Sequence, residues 1–286
     1  MPGLIPLLAL PAAATAVGAR LPAWAFMWLL AIAIFAGCKW RTWWAVPGGV
    51  RDAGNWKRSL SYFLLWPGMD AREFFNPLGC GRQVPIFEWA ASATKIIVGV
   101  ALFWAGARFI SLGHLLLGGW AGMVGTVLVL HFGIFQLAAL VWQRAGLAVK
   151  PIMERPLASR SLSELWGRRW NLGFRMLSHG WVFQPLQKRF GPVAGTFGAF
   201  LASGLLHDLV ISVPARAGYG LPTGYFLLQG LGVIAERSRT GKRLGLGRSV
   251  RGFAWTALIA VGPLYVLFHP WFVMRVMVPF MRAVAG

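Results

Sequence analysis

His207 and Asp208 are the residues best suited to chemistry, because both are ionisable and they close a long apolar run. If that run crosses a membrane from Gly191, about 24 Å of helix precedes His207. An ionisable group at such depth is by default a functional-site hypothesis. A buried neutral imidazole can accept a proton near neutral pH, so His207 is a candidate general base. The alternative is a histidine satisfied by a neighbouring helix.

A polar segment upstream supplies the second candidate. Ser161 and Glu164 have the spacing of a capping box, which starts a helix, and Gly180 is a plausible end. Apolar side chains recur between them at helical spacing: Leu162, Leu165, Trp166, Trp170, Phe174 and Leu177. Polar side chains recur at spacings of four, three and four: Glu164, Arg168, Asn171 and Arg175. The pattern predicts one amphipathic helix at a membrane interface, where a simple anchoring role is equally open.

The composition is that of a membrane protein. Of 286 residues, 57% are hydrophobic and 13% are charged, whereas soluble domains carry about a quarter charged residues. We therefore predict an all-α polytopic transmembrane bundle with amphipathic interfacial helices. A net charge of +20 could indicate nucleic acid. That partner is rejected because the basic residues lie between apolar runs, where they orient spans, although some could also attract an anionic substrate.

The apolar runs predict about eight spans in a single domain, residues 1–286. The first is read as a span or a signal anchor, and the runs are 4–17, 23–38, 86–109, 120–142, 191–213, 223–235, 252–268 and 271–284. The loops richest in Lys and Arg are 39–85, 143–190 and 236–251. The positive-inside rule places these loops and both termini in the cytoplasm.

Four further residues carry ionisable or reactive groups outside these two segments. Lys95 either snorkels from a tilted span, which is favoured, or faces the bundle interior. His131 is predicted to be a helix-packing residue that is hydrogen-bonded to a neighbour. Cys38 and Cys80 form no metal-binding or disulfide pattern, so both are expected to be free thiols.

Four motifs in order resemble those of the membrane-bound O-acyltransferases, and they are most similar to the wax synthase-like branch. In chain order they are Tyr62-Phe-Leu-Leu-Trp-Pro-Gly-Met-Asp70, Trp166-Gly-Arg-Arg-Trp-Asn171, Val182-Phe-Gln-Pro185 and Ser203-Gly-Leu-Leu-His207. The resemblance covers roughly residues 62–208. Asp208 stands where many members carry glutamate, which leaves the role of its carboxylate open.

The resemblance implies transfer of an acyl group from a thioester, usually acyl-CoA, to a hydroxyl group. The family's histidine corresponds to His207 and its asparagine to Asn171. His207 would take the alcohol's proton, and Asn171 would donate a hydrogen bond to the thioester or the developing oxyanion. Neither a metal nor a cofactor is implied, and acyl-CoA enters as co-substrate.

Other residues of these motifs are candidates for substrate binding. Guanidinium groups pair with phosphates, so three arginines could hold the donor or equally anchor lipid headgroups: Arg168, Arg169 and Arg175. Trp166 and Trp170 could line a tunnel, although packing is the simpler role. Ser203 is small enough to leave room for substrate or for a packed neighbour.

The leading hypothesis is synthesis of a wax ester from acyl-CoA and a long-chain alcohol. The same chemistry could act on a sterol, a diacylglycerol, a polysaccharide or a small metabolite. An alternative of another class is a proton-coupled transporter in which His131, His207 and Asp208 relay protons. The expected partners are acyl-CoA, a hydroxyl acceptor and membrane lipids, without nucleic acid, and the oligomeric state is left open.

Overall fold

The protein is mainly helical in the part of the chain that the structure, a computed structural model, describes. That part comprises residues 3–48, 56–76 and 81–286, and it contains no β-strand. The prediction of an all-α protein is thus confirmed. The chain forms two compact units, Met1–Ile152 with Met274–Gly286, and Met153–Val273. The single functional domain stays a prediction.

The first unit is built mainly from long apolar helices. In chain order its helices are α1 (Ile5–Gly18), α2 (Ala23–Trp44), α3 (Trp56–Leu65), α4 (Ala71–Phe75), α5 (Ile86–Ser111) and α6 (Leu115–Arg144). A C-terminal helix, Val278–Ala285, belongs to the same unit.

The second unit carries the candidate site, and its helices are more often interrupted. They are α7 (Leu162–Glu164, continued by a π-helical turn Leu165–Arg169), α8 (Leu172–Ser178), α9 (Gln184–His207), α10 (Leu221–Arg237), α11 (Arg239–Leu244) and α12 (Ser249–Val261). Further π-helical turns, His179–Phe183 and Asp208–Ser212, flank α9.

Within the described residues, five helical stretches are long and apolar enough to cross a membrane. They are Ala23–Trp44, Ile86–Ser111, Leu115–Arg144, Leu172–Ala215 and Ser249–Leu267. The count of eight spans and the cytoplasmic placement of loops and termini stay predictions.

The packing of α5 against α6 depends on glycines that let the two backbones approach closely. A Cβ on Gly106 would lie 2.5 Å from the carbonyl oxygen of Gly118 and 2.9 Å from the amide nitrogen of Gly122. Small residues at such crossings are typical of membrane helices, whose association is driven by close packing. Any larger side chain at Gly106 must push the helices apart.

His131 packs against a neighbouring ring, in keeping with its predicted packing role, but its predicted hydrogen bond is not formed among the described residues. It lies in a π-helical turn, Leu128–Ile134, within α6, and its ring meets Phe135 edge to face at 5.3 Å. Its buried Nδ1 has no hydrogen-bond partner in the described part of the chain, so the predicted bond to a neighbour is not found there. Cys38 is a buried free thiol, as predicted, and Cys80 lies outside the described residues.

The motif that begins at Tyr62 forms a buried polar cluster in the first unit. Lys39 is fully buried, and its Nζ donates to the Gly68 carbonyl at 2.6 Å while lying 3.4 Å from the centre of the Tyr62 ring. The Tyr62 hydroxyl donates to the Met69 carbonyl at 3.2 Å. Burial raises the pKa of Tyr62, so the phenol keeps its proton. Lys39 and Tyr62 together hold the loop after α3.

We predict that Gly106→Ala destabilises the protein by about 1–3 kcal/mol, because the added methyl overpacks the α5–α6 crossing. Gly224→Ala is the matched control, since a Cβ at that exposed helical position meets nothing within 4 Å. It should be neutral or stabilising by up to about 1 kcal/mol. Thermal unfolding in detergent measures both; equal shifts for the two variants would contradict the predicted crossing.

Candidate functional site

The helix predicted from Ser161 to Gly180 is broken at Trp170 and Asn171, so that prediction is wrong in part. Trp170 is extended, with φ −105° and ψ 127°, and Asn171 is left-handed, with φ 42° and ψ 59°. Asparagine tolerates this region better than most residues because its short side chain can bond locally. The Oδ1 atom of Asn171 accepts from the Phe174 amide at 3.4 Å and so caps α8.

Two details of the predicted helix change with the break. The polar residues spaced by four, three and four do not share one helical face, because the break separates Arg168 from Asn171. Gly180 is not an end, since it lies inside the π-helical turn that leads into α9. The kink falls instead at Gly191, with φ 85°, directly before Pro192.

The predicted capping box is confirmed for one of its two bonds. The Ser161 hydroxyl accepts from the Glu164 amide at 2.9 Å. The returning carboxylate bonds one residue earlier than the motif requires, because Glu164 Oε2 accepts from the Arg160 amide at 2.8 Å. The hydrogen bond from the Arg160 amide, and to a smaller extent the Arg169 guanidinium, holds the pKa of the Glu164 carboxyl below its ordinary value.

Glu236 also fixes the start of α7, and sequence reasoning missed it. Its buried carboxylate accepts from the Leu162 amide at 2.6 Å and from the Ser163 amide at 3.4 Å. A carboxylate at a helix start satisfies free N–H groups and matches the helix dipole. No sequence pattern pairs Glu236 with a helix more than seventy residues away, so this contact comes from the tertiary structure alone.

The three candidate arginines differ in their surroundings. The Arg169 guanidinium pairs with Glu164 at 2.6 Å and also donates to the carbonyls of Glu154 and Arg155. These partners occupy it within the protein. Arg168 and Arg175 are exposed, and within the described part of the chain neither forms an ion pair. Only these two are therefore free to meet an anionic ligand without breaking an internal contact.

The geometry of His207 determines which ring nitrogen is available. Its Nδ1 lies 2.7 Å from the Ser203 carbonyl oxygen, one helical turn earlier. A carbonyl can only accept, so Nδ1 carries the proton and neutral His207 has its lone pair on Nε2. Among the described residues, Nε2 has no hydrogen-bond partner. The Ser203 hydroxyl donates to the Ala199 carbonyl at 3.0 Å and is turned along its own helix.

Aromatic rings connect His207 with the tryptophans of the polar segment. The Phe226 ring lies 4.3 Å from the His207 ring and 5.7 Å from Trp166, centre to centre. Trp166 also meets Phe200 at 6.0 Å and Trp170 at 6.3 Å, both edge to face. The tertiary structure thus brings His207, Trp166 and Trp170 into one aromatic cluster, with Phe226 as the link. The sequence motifs did not single out Phe226.

The two predicted catalytic side chains are not directly bonded. Asn171 follows the aromatic cluster directly in the chain, and its amide and the His207 ring share no hydrogen bond. Both side chains are half-buried. In the described part of the chain, Oδ1 of Asn171 accepts from the Phe174 amide, and the side-chain N–H groups of Asn171 have no acceptor.

The open question of Asp208 has a structural answer. Its Oδ1 accepts from the Gly220 amide at 2.9 Å and from the Ser212 hydroxyl at 2.8 Å. Its Oδ2 accepts from the amide and the hydroxyl of Thr223. Asp208 therefore caps the start of α10, the helix that carries Phe226, and it does not bond to His207. A proton relay between the two neighbours has no hydrogen bond to follow.

Residues 149–228 match the sequence model of the membrane bound O-acyl transferase family. That segment contains Asn171, His207, Asp208 and Phe226, whereas Glu236 lies beyond it. The matched region is therefore the one in which the structure places the candidate site.

Several curated proteins are similar in sequence to parts of this chain. A probable long-chain-alcohol O-fatty-acyltransferase 3 of Arabidopsis thaliana is 27% identical over 63% of this chain and 54% of its own length. An acyl-CoA–sterol O-acyltransferase 1 of the same plant is 34% identical over 28% of the chain and 25% of its own. The long-chain-alcohol O-fatty-acyltransferase of Simmondsia chinensis is 28% identical over 41% and 36%. The chain thus matches about half or less of the length of each.

The predicted resemblance to the membrane-bound O-acyltransferases is confirmed over residues 149–228, and the chain is similar to relatives named as long-chain-alcohol O-fatty-acyltransferases.

Proposed function

We propose that the protein transfers a fatty acyl group from acyl-CoA to the hydroxyl of a long-chain alcohol, which yields a wax ester. One observation carries this proposal: the Ser203 carbonyl holds the proton of His207 on Nδ1 and leaves the Nε2 lone pair unbonded. A general base requires that arrangement. The names of the relatives, long-chain-alcohol O-fatty-acyltransferases, support the choice of acceptor.

In the proposed reaction, Nε2 of His207 takes the proton of the alcohol while the alcohol oxygen attacks the thioester carbon. The carbon–sulfur bond of the tetrahedral intermediate then breaks, and the imidazolium returns its proton to the leaving thiolate. The Ser203 carbonyl keeps its bond to Nδ1 throughout and stabilises the positive charge that forms on the ring. No enzyme nucleophile is required, because the alcohol attacks directly.

Asn171 is proposed to steady the negative charge that develops on the thioester oxygen. Its cap to Phe174 uses Oδ1, which fixes the amide orientation and leaves both side-chain N–H bonds available. A donor held in place before the reaction stabilises an oxyanion without reorganisation. The left-handed backbone at Asn171 directs this group from a break between helices rather than from a helical face.

The donor's phosphates are assigned to Arg168 and Arg175, which are exposed. Arg169 is better placed to hold the polar segment, because its partners are Glu164 and two carbonyls. Trp166 and Trp170 are proposed to line the acyl passage beside His207. The basic loops and both termini are proposed to face the cytoplasm, following the positive-inside rule.

A sterol is the second candidate acceptor. The relative named acyl-CoA–sterol O-acyltransferase 1 has 34% identity, although over 86 residues only. Assays of the purified protein with acyl-CoA and either a long-chain alcohol or a sterol distinguish the two candidates by which ester forms. Thiol release that requires neither acceptor would count against both.

We predict that His207→Ala abolishes ester formation, because the alcohol then has no base positioned at its proton. Expression and thermal stability should change little, since the ring makes one hydrogen bond. His114→Ala is the control, at an exposed histidine of a connector. Near-normal turnover of His207→Ala would falsify the general-base role.

We predict that Asn171→Asp lowers turnover by about 10²–10³, the cost of one oxyanion-hole donor. Aspartate keeps the cap to Phe174 and tolerates the left-handed backbone, but it lacks the N–H groups. Asn171→Gly removes the capping oxygen and the side-chain N–H groups, while glycine adopts the left-handed backbone without strain. Turnover close to wild type in either stably folded variant would leave Asn171 with only an architectural role.

We predict that Arg168→Ala raises the KM for acyl-CoA and makes it less sensitive to salt, because a phosphate contact is lost. Arg169→Ala should instead lower the melting temperature, since it leaves Glu164 without its cation. Steady-state kinetics at several salt concentrations, together with melting curves, separate the two. If the KM and its salt response survive in Arg168→Ala, this arginine is a headgroup anchor.

A further inference from the structure

We propose that Gln229 is a positioning residue that sets the aromatic wall beside His207, an inference that rests on the proposed acyl transfer. Gln229 lies on α10 and is fully buried. Its Oε1 accepts from Trp166 Nε1 at 3.3 Å, and its Nε2 donates to the Ile259 carbonyl at 2.7 Å. One side chain thus joins α7, α10 and α12.

The Ile259 carbonyl is available because of a proline. In a continuous helix it would accept from the amide four residues later, but that residue is Pro263, which has no N–H. The helix ends at Val261, so the Ala260 carbonyl is also released, and the Tyr225 hydroxyl donates to it at 2.8 Å. An unbonded carbonyl in apolar surroundings is costly, so both acceptors attract donors from α10.

The contact of Gln229 with Trp166 reaches the reacting nitrogen through rings. Trp166 has its N–H held by Gln229 and its ring held by Phe200 and Phe226. Phe226 in turn lies against the His207 ring at 4.3 Å. The orientation of Trp166 therefore limits where Phe226 lies, and Phe226 limits how the His207 ring can rotate. The direction of the Nε2 lone pair depends on that rotation.

A variant of Tyr225 distinguishes the positioning role of Gln229 from a merely structural contact between helices. It lies one helical turn before Gln229 and joins the same two helices, α10 and α12, through an adjacent carbonyl. Its hydroxyl makes no bond to Trp166. Tyr225→Phe therefore removes a comparable brace and leaves the tryptophan untouched, which makes it the matched control.

The kinetic test compares Gln229→Met, Trp166→Phe, their double variant and Tyr225→Phe in purified protein with acyl-CoA and a long-chain alcohol. Methionine keeps the length of glutamine without its polar atoms, and Trp166→Phe breaks the same bond from its other end. Each should lower kcat about tenfold, the effect of one hydrogen bond, and Gln229→Met should leave both KM values within about twofold of wild type. The double variant should be no slower than Gln229→Met, because the two residues act through one bond. Tyr225→Phe should stay within about twofold of wild type.

A second measurement does not depend on activity. In protein with isotope-labelled histidine, the His207 ring signal is assigned by its loss in His207→Ala and followed by NMR. Its chemical shift should move in Gln229→Met and in Trp166→Phe, since the nearby Phe226 ring changes position, and should stay in place in Tyr225→Phe.

Three outcomes would overturn the inference: an unmoved His207 signal in both Gln229→Met and Trp166→Phe, equal losses of kcat in Tyr225→Phe and Gln229→Met, or multiplied losses in the double variant. Wild-type protein that transfers no acyl group would instead refute the proposed function. In that case the NMR shifts still decide whether Gln229 positions His207.

Discussion

The second unit depends on one constraint: polar groups among apolar helices must find their partners within the chain. Helix breaks leave backbone groups without partners, because each break releases carbonyls or amides from the helical hydrogen-bond pattern. Side chains from neighbouring helices form hydrogen bonds with these released groups. Gln229 and Tyr225 take the carbonyls that the break at Pro263 releases, and Asp208 takes the amides at the start of α10. These bonds determine how the helices around His207 are held.

The few acidic residues serve the same purpose. Only eight occur in the chain, and four of them accept backbone amides: Asp70, Glu164, Asp208 and Glu236. A carboxylate there satisfies free N–H groups and interacts favourably with the helix dipole. The surplus of Lys and Arg is consistent both with orientation in a membrane and with attraction of an anionic thioester donor.

The chemistry proposed for the candidate site depends on two backbone features. The helical turn from Ser203 to His207 presents a carbonyl to Nδ1 and so selects the tautomer with a free Nε2. The break at Trp170 and Asn171 turns an amide out of the helical pattern while the same residue caps the next helix. The proposed base, His207, and the proposed hydrogen-bond donor, Asn171, are thus both held by local structure, which favours a defined orientation before substrate arrives.

The sequence by itself determined the helical class, the membrane character, the resemblance to the acyltransferases and the choice of His207 and Asn171 as candidates. Those conclusions rest on composition, local motifs and apolar runs, which are properties of neighbouring residues. Only the tertiary structure decided that Asp208 caps α10, that Glu236 starts α7, and that Phe226 and Gln229 connect Trp166 with its surroundings. Such contacts join helices far apart in the chain, and helical periodicity carries no information about which faces will meet. The break at Asn171 also escaped prediction, because the amphipathic spacing continues across it while a local side-chain cap determines the backbone.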